Sequence, residues 1–218
     1  MQSASRSAAH MQRDQNRKPI ETLAFFGFRE DMRVLELFPG GGWYTTLLAP
    51  VLRDNGELIV ALNTTTVRNG LLQQPGFDKV KVDGANPGMP GTGPLGASDV
   101  AAFEFDASDV DLALTFRNMH NISPQGRATI NTAVFQSLRS GGQYGIVDHS
   151  RRHMEPITEE TARRADVVQI IKEVLAAGFE FVDYSDLHFR PDDELRYEVG
   201  RKSVTGNTDR FTLLFRKP

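Results

Sequence analysis

The chain contains no cysteine. That excludes in one step a thiolate nucleophile, a cysteine-ligated zinc, an iron–sulfur centre and any disulfide. The compartment stays open on this ground, since a chain without thiols suits oxidising and reducing surroundings alike. An excess of either charge is also lacking: 25 Lys and Arg against 28 Asp and Glu give −3, without the basic surplus of a dedicated nucleic-acid binder. Long apolar runs are missing too. Stretches such as Leu112–Phe116 fall far short of the roughly 20 residues of a membrane-spanning helix. Met1 to Arg17 is polar, carries Arg6, Arg13 and Arg17, and has no apolar core of a secretory signal. The expectation is a cytoplasmic protein without membrane or nucleic-acid partners, although a start at Met1 leaves a removed export signal open.

What is present fits an ordinary globular domain. The 218 residues are 39 % hydrophobic, which excludes a disordered chain and a collagen-like repeat. Neither an internal repeat nor a second core is visible, so one domain is expected over 1–218, with an arm and helix in 1–30 and the core in 31–218. The 19 glycines slightly exceed the usual share of about 7 %. They are unevenly placed: three form Gly40–Gly42 and five lie within Gly84–Gly96.

Periodicity predicts alternating strands and helices. Pro19–Gly27 reads as a short helix, Arg33–Phe38 as a buried strand, Trp43–Leu52 as a helix and Glu57–Leu62 as a second strand. Lys79–Asp83 alternates like an exposed strand, and the glycines and prolines of Gly84–Gly96 make a mobile loop. Val100–Phe105 and Asp111–Phe116 read as strands, Pro124–Ser140 as a helix stopped by Gly141-Gly142, and Gln143–Val147 as a strand. A helix over Thr158–Ala177 and strands at Phe179–Tyr184 and Arg210–Arg216 complete the chain. Helices between strands imply crossover connections and a largely parallel sheet.

The informative stretch is Val34-Leu35-Glu36-Leu37-Phe38-Pro39-Gly40-Gly41-Gly42-Trp43-Tyr44. It runs from a strand through an acidic residue and a glycine cluster to a helix start. Glycines let the backbone turn sharply and bring bare amides against a ligand. Glu36 repels a pyrophosphate and suits a cation. Such a cation is S-adenosylmethionine, with its ammonium and sulfonium groups and no phosphate.

Glu36 to Gly42 resembles motif I of the class I S-adenosylmethionine-dependent methyltransferases. The resemblance extends over about 200 residues, and within the superfamily the chain is similar to a bacterial group of methyltransferases. It shares with that group Arg13-Asp14…Arg17…Pro19, Pro39–Tyr44, Phe116-Arg117-Asn118-Met119-His120-Asn121, Val147-Asp148-His149 and Asp209-Arg210-Phe211. The resemblance implies a Rossmann-like α/β fold: seven strands, largely parallel, an antiparallel last strand and helices on both faces. It further implies a transferase that moves a methyl from S-adenosyl-L-methionine to a small acceptor. Cofactor contacts would come from Glu36, Phe38, Pro39, Gly40, Gly41, Gly42, Asn63, Asp106, Phe116 and Arg117. Assembly as a homodimer stays open, and no resident metal is expected.

Two positions depart from the superfamily pattern. Phe38 stands where motif I usually begins with glycine, so its ring must turn away from the cofactor or narrow its entrance. Leu62-Asn63 stands where an acid usually grips the ribose hydroxyls, and Asn63 still donates and accepts hydrogen bonds. For the acid that contacts adenine, Asp83 and Asp106 each end a strand on this reading, and Asp106 is preferred.

Two polar clusters follow the fourth and fifth strands, where open α/β sheets bind ligands. In Phe116–Asn121, His120 is of the residue type suited to a general base near neutral pH, and Asn118 can position an acceptor. The plain alternative is that the asparagines cap a turn and the histidine packs at the sheet edge. In Asp148–His153, His149 is a second base or positioning group. Alternatives are a metal site of Asp148, His149 and His153, which needs helical spacing between the two histidines, or a solvated basic loop.

Arg13, Asp14 and Arg17 form either a lid over the cofactor or a solvated helix face. Trp43 and Tyr44 are expected to pack under the glycine turn rather than stack on adenine. His10 and His188 are placed at the surface, and Arg163-Arg164 on a solvated helix face. Two rival functions remain: a non-catalytic cofactor-binding module, and a nicotinamide-dependent oxidoreductase. Glu36 and the absence of G-x-G-x-x-G after the first strand disfavour the second.

Overall fold

A computed structural model describes residues 6–218. Its strands, in chain order, are β1 (Arg33–Leu37), β2 (Glu57–Ala61), β3 (Lys81–Val82), β4 (Val110–Phe116), β5 (Leu138–Arg151), β6 (Ala165–Asp166), β7 (Glu180–Ser185) and β8 (Arg210–Arg216). Seven of them lie in the order β3-β2-β1-β4-β5-β8-β7, and the two-residue β6 pairs with the end of β5. β8 is antiparallel to both neighbours, and every other pairing along the path is parallel. The expected Rossmann-like α/β architecture with an antiparallel last strand is therefore present.

Strand alternation explains why helices cover both faces. Leu35 and Leu37 point into one apolar cluster, with Ile130 and Val134 of α6 (Pro124–Ser137) and Ile170 and Val174 of α7 (Val167–Ala176). Val34, Leu58 and Val60 point into the other, with Phe26 and with Leu48 and Leu52 of α4 (Thr45–Leu52). Strand order reverses at β1, with β2 on one side and β4 on the other. The crevice beyond the carboxyl ends of β1 and β4 is thus the topological switch point. None of the described helices is long and apolar enough to cross a membrane.

Three short N-terminal helices, Ala8–Gln12, Asp14–Arg17 and Pro19–Phe25, lead into the sheet. The first is tied to the glycine turn, because Trp43 Nε1 donates to the His10 carbonyl at 3.1 Å. Behind the second, Arg210 donates to the Asn16 carbonyl at 2.9 Å.

Several boundaries differ from the sequence expectation. Val100–Phe105 forms no strand; Phe103 and Phe105 instead pack edge to face at 4.9 Å and lean on the core. The sixth helix stops at Ser137, before Gly141-Gly142, and β5 begins at Leu138. Helical structure expected from Thr158 starts only at Val167, where Asp166 caps the first turn by accepting from Val168 and Gln169. Thr158–Arg164 is turn instead, held by Arg164 inserted between Asp193 and the Ser150 and Tyr197 carbonyls. Arg164 is 1 % exposed, so the arginine pair is not solvated: Arg163 pairs with Glu198, and Arg164 is a buried staple.

Gly42 illustrates why the turn needs glycine. Its φ is 83°, and a Cβ there would overlap Leu71 and lie 3.1 Å from Val67. Gly42→Ala is expected to cost about 1–3 kcal/mol in thermal unfolding, from backbone strain plus overpacking. Gly41, with nothing within 4 Å of its Cβ position, is the control, and an equal cost for Gly41→Ala would refute the packing argument.

Candidate functional site

β1 runs directly into the glycine turn. Phe38 (φ 53°), Gly40 (56°) and Gly42 (83°) all take left-handed conformations, and the Phe38 amide donates to the Ala61 carbonyl at 2.8 Å. The Phe38 ring leans on the apolar cluster that contains Leu37 and Leu62. Pro39 is buried, whereas Gly40 and Gly41 are exposed and face open space. A bare backbone concavity of this kind admits close approach of a ligand.

Glu36 lies beneath that turn, 2 % exposed, and its carboxylate accepts from Thr45 Oγ1 at 2.7 Å. Burial pushes Glu36 up to about 7, against the opposing pull of the Thr45 hydrogen bonds and the Arg17 charge. A carboxylate so short of solvation gains from any cation brought to it. Trp43 and Tyr44 are buried under the turn, and Tyr44 stacks on Phe116 with ring centroids 3.4 Å apart.

The other expected cofactor residues ring the same edge less tightly. Asn63 is exposed, and it follows Leu62 in a second left-handed step (φ 61° and 49°) at the end of β2. Asp106 lies on a coil rather than at a strand end, exposed, and accepts from the Gly84 amide at 3.0 Å. Asp83, just after β3, is buried and accepts from the Ala85 and Ala107 amides, each at 2.9 Å.

Beyond the ends of β4 and β5 opens a cavity of about 480 Å³. Arg117, His120 and Asn121 reach it from the turn after β4, and His149 from the end of β5. Arg210 arrives from the opposite end of the chain, because β8 is antiparallel and its first residue pairs in register with His149. Arg13, Asn16 and Arg17 border the cavity from the N-terminal helices, Arg17 buried and Arg13 exposed. Motifs scattered over 200 residues of sequence meet here.

At the cavity wall, Asp148 is fully buried and organises both histidines. It accepts from His120 Nδ1 at 2.6 Å, from the His120 amide at 3.0 Å and from the His149 amide at 2.7 Å. A carboxylate can only accept, so Nδ1 of His120 carries the proton and Nε2 is left as an acceptor. The His149 ring lies 5.7 Å from that of His120 and contacts Thr208 Oγ1 at 2.9 Å. Burial, then the charge of Arg210, holds His149 well below the usual imidazole range, so it is neutral at pH 7. Asn118 turns inward: its Nδ2 donates to the Phe116 carbonyl at 3.0 Å and closes the turn.

Sequence singles out several of the cavity's arginines but not their convergence. Among the described residues, five arginines (Arg13, Arg17, Arg117, Arg163 and Arg210) and no carboxylate line the cavity. Arg163 pairs with Glu198, but the other four make no ion pair among the described residues. Burial and their mutual repulsion push Arg17 down to about 9 and Arg210 to about 10, and lower Arg117. Arg17 stacks over the Trp43 ring at 4.2 Å.

His153 takes no part. β5 is extended through Arg151, so the spacing that would bring two helical histidines together separates them, and His153 pairs with Asp166 at 3.0 Å. Among the described residues no group of three or more His, Asp or Glu is arranged to hold a metal ion. His188 is not at the surface but 2 % exposed, between Thr212 Oγ1 and the Arg17 carbonyl, and burial pushes it down to about 4. His10 is half-buried, its Nδ1 shielded without a partner among the described residues.

No protein-family profile matches the chain, and no curated protein matches it. Solved structures do. The chain is similar to a SAM-dependent methyltransferase from Aquifex aeolicus, at 13 % identity over 94 % of this chain and 92 % of that one, with a TM-score of 0.65. The glycopeptide N-methyltransferase MtfA complexed with sinefungin is similar at 16 % identity over 94 % of each chain, with a TM-score of 0.57. The cyclase SpnF is similar at 16 % identity over 93 % of this chain and 80 % of that one, with a TM-score of 0.62. The chain has the fold of class I S-adenosylmethionine-dependent methyltransferases, and the cyclase shows that this fold alone does not fix the chemistry.

Proposed function

We propose that the chain is a methyltransferase that binds S-adenosyl-L-methionine at the Phe38–Gly42 turn and alkylates a small acceptor in the arginine-lined cavity. One observation carries the reading: a buried, under-solvated Glu36 beneath an open glycine turn, on the fold that SAM-dependent enzymes share. Glu36 would meet the cationic end of the cofactor. The Gly40 and Gly41 backbone would give it room, and Asn63 would hydrogen-bond its ribose. The cofactor supplies an electrophilic methyl on a sulfonium. His120, oriented by Asp148, takes the acceptor's proton at Nε2, and His149 stays neutral beside it. A cytoplasmic setting goes with this reading.

A second reading, binding without transfer, is favoured by Asn63, which lacks the charge expected at the ribose. Calorimetry with S-adenosylmethionine, followed by detection of S-adenosylhomocysteine, separates the two. No binding by the wild-type chain would defeat both, and a rise in Tm with a nicotinamide dinucleotide alone would favour an oxidoreductase.

A further inference from the structure

We infer that the cavity is a binding site for an oxyanion of two or more negative charges, so that the methyl acceptor carries a phosphate monoester or a cluster of carboxylates. The anion site itself rests on geometry and charge. Calling its occupant the acceptor rests on the methyltransferase reading above.

Arg17 and Arg210 are 6 % and 8 % exposed, yet neither has a carboxylate partner among the described residues. Arg210 donates one bond, to the Asn16 carbonyl, and its buried Nε has no partner among the described residues. Arg117, half-buried, and Arg13, exposed, add two more unpaired guanidinium groups to the same wall. The charge of Asp148 tempers Arg117, but its oxygens are already engaged by three N–H donors from His120 and His149.

Gathering four like charges in a partly desolvated pocket is costly unless something else answers them. S-adenosylmethionine cannot do so. Its two cationic groups and one carboxylate sum to a single positive charge, and its ammonium is claimed by Glu36. A lone carboxylate would satisfy one guanidinium fork and leave the others facing each other. The planar forks of arginine match phosphate and carboxylate oxygens in pairs. About 480 Å³ accommodates a small metabolite, not a polymer.

The test uses the full chain in thermal unfolding at constant ionic strength, with chloride exchanged for inorganic phosphate or for citrate. The wild type is expected to gain several degrees in Tm with at least one of the two. A response to phosphate alone assigns a phosphate ester, and a response to citrate alone a polycarboxylate. Arg117→Gln and Arg13→Gln should each weaken the apparent anion affinity at least tenfold, whereas Arg68→Gln, at an exposed position outside the cavity, should behave as wild type. In chloride, Arg117→Gln should be no less stable than the wild type, because it removes repulsion. No anion response in the wild type, or equal responses in all three variants, overturns the inference. S-adenosylmethionine titrated in chloride keeps the two readings apart: cofactor binding without an anion response defeats only the anion site, and the converse only the cofactor reading.

Discussion

Glu36→Gln is expected to weaken S-adenosylmethionine binding by about 10–100-fold at pH 8, the worth of a buried charge-assisted contact. At the same time it should make the ligand-free protein more stable. Both effects follow from burial. Glu36 is held up to about 7 in the folded chain, against an ordinary carboxyl value in the unfolded one. Between those values the folded state holds the extra proton, so its stability falls as pH rises through the window and levels off above about 7. Across that window the loss is about 3 kcal/mol. Glutamine keeps an oxygen for Thr45 and has nothing to ionise, so the variant should lack this slope.

Cofactor binding should run the opposite way in pH. A cation beside Glu36 favours the carboxylate, so the proton must leave when the ligand enters. Wild-type affinity should therefore climb about tenfold per pH unit below pH 7 and flatten above it. Calorimetry at pH 6 in buffers of different ionisation enthalpy should register release of close to one proton per cofactor, and none for Glu36→Gln. Proton release that persists in the variant would place the titrating group elsewhere.

How much of this was legible beforehand depends on whether the deciding signal was local. Arg210–Arg216 is readable to the residue because Phe211–Phe215 is apolar but for Thr212, the near-continuous run of a strand that lies between two neighbours and is buried up to Arg216. The helix expected from Thr158 rests on apolar spacing that begins only at Val167, whereas before it a distant carboxylate, Asp193, captures Arg164 and pins the chain as turn. Phe103 and Phe105 look like strand residues because both are apolar and in alternation, yet they cover the core from a coil.

The same distinction governs the site. The Glu36–Gly42 stretch announces itself, since strand, acid and glycine turn are contiguous. His120 and His149 were also within reach, because both follow predicted strands. The pairing of His120 with Asp148 was not, because it depends on β4 and β5 being neighbours in register. Least readable was the arginine cluster. Arg13, Arg17, Arg117 and Arg210 lie in three motifs far apart in a near-neutral chain, and only an antiparallel β8 and an N-terminal segment laid over the sheet edge bring them together. Their missing carboxylates are a three-dimensional fact without a sequence signature.

Asp148→Asn is expected to cost about 2–4 kcal/mol of stability and to lower methyl transfer by 10²-fold or more. The reason lies in the donors around that carboxylate. One oxygen accepts from His120 Nδ1 and the His149 amide, the other from the His120 amide. An asparagine must turn its NH₂ toward one of these donor sets. Facing the His120 amide, it leaves two buried donors opposed. Facing Nδ1, it opposes the His149 amide and forces the imidazole into the other tautomer, with the proton on Nε2 where the acceptor's proton should go. Either choice costs buried hydrogen bonds, and the second removes the base. For a chain of this length the loss should appear as a fall in Tm of about 5–15 °C. His120→Ala should lose a comparable rate, and the double variant scarcely more, because the two residues act as one unit. Nitrogen-15 NMR of the ring separates this account from simple unfolding. The wild type should show His120 protonated at Nδ1, and a wild-type ring protonated at Nε2 instead would overturn the assignment of His120 as base.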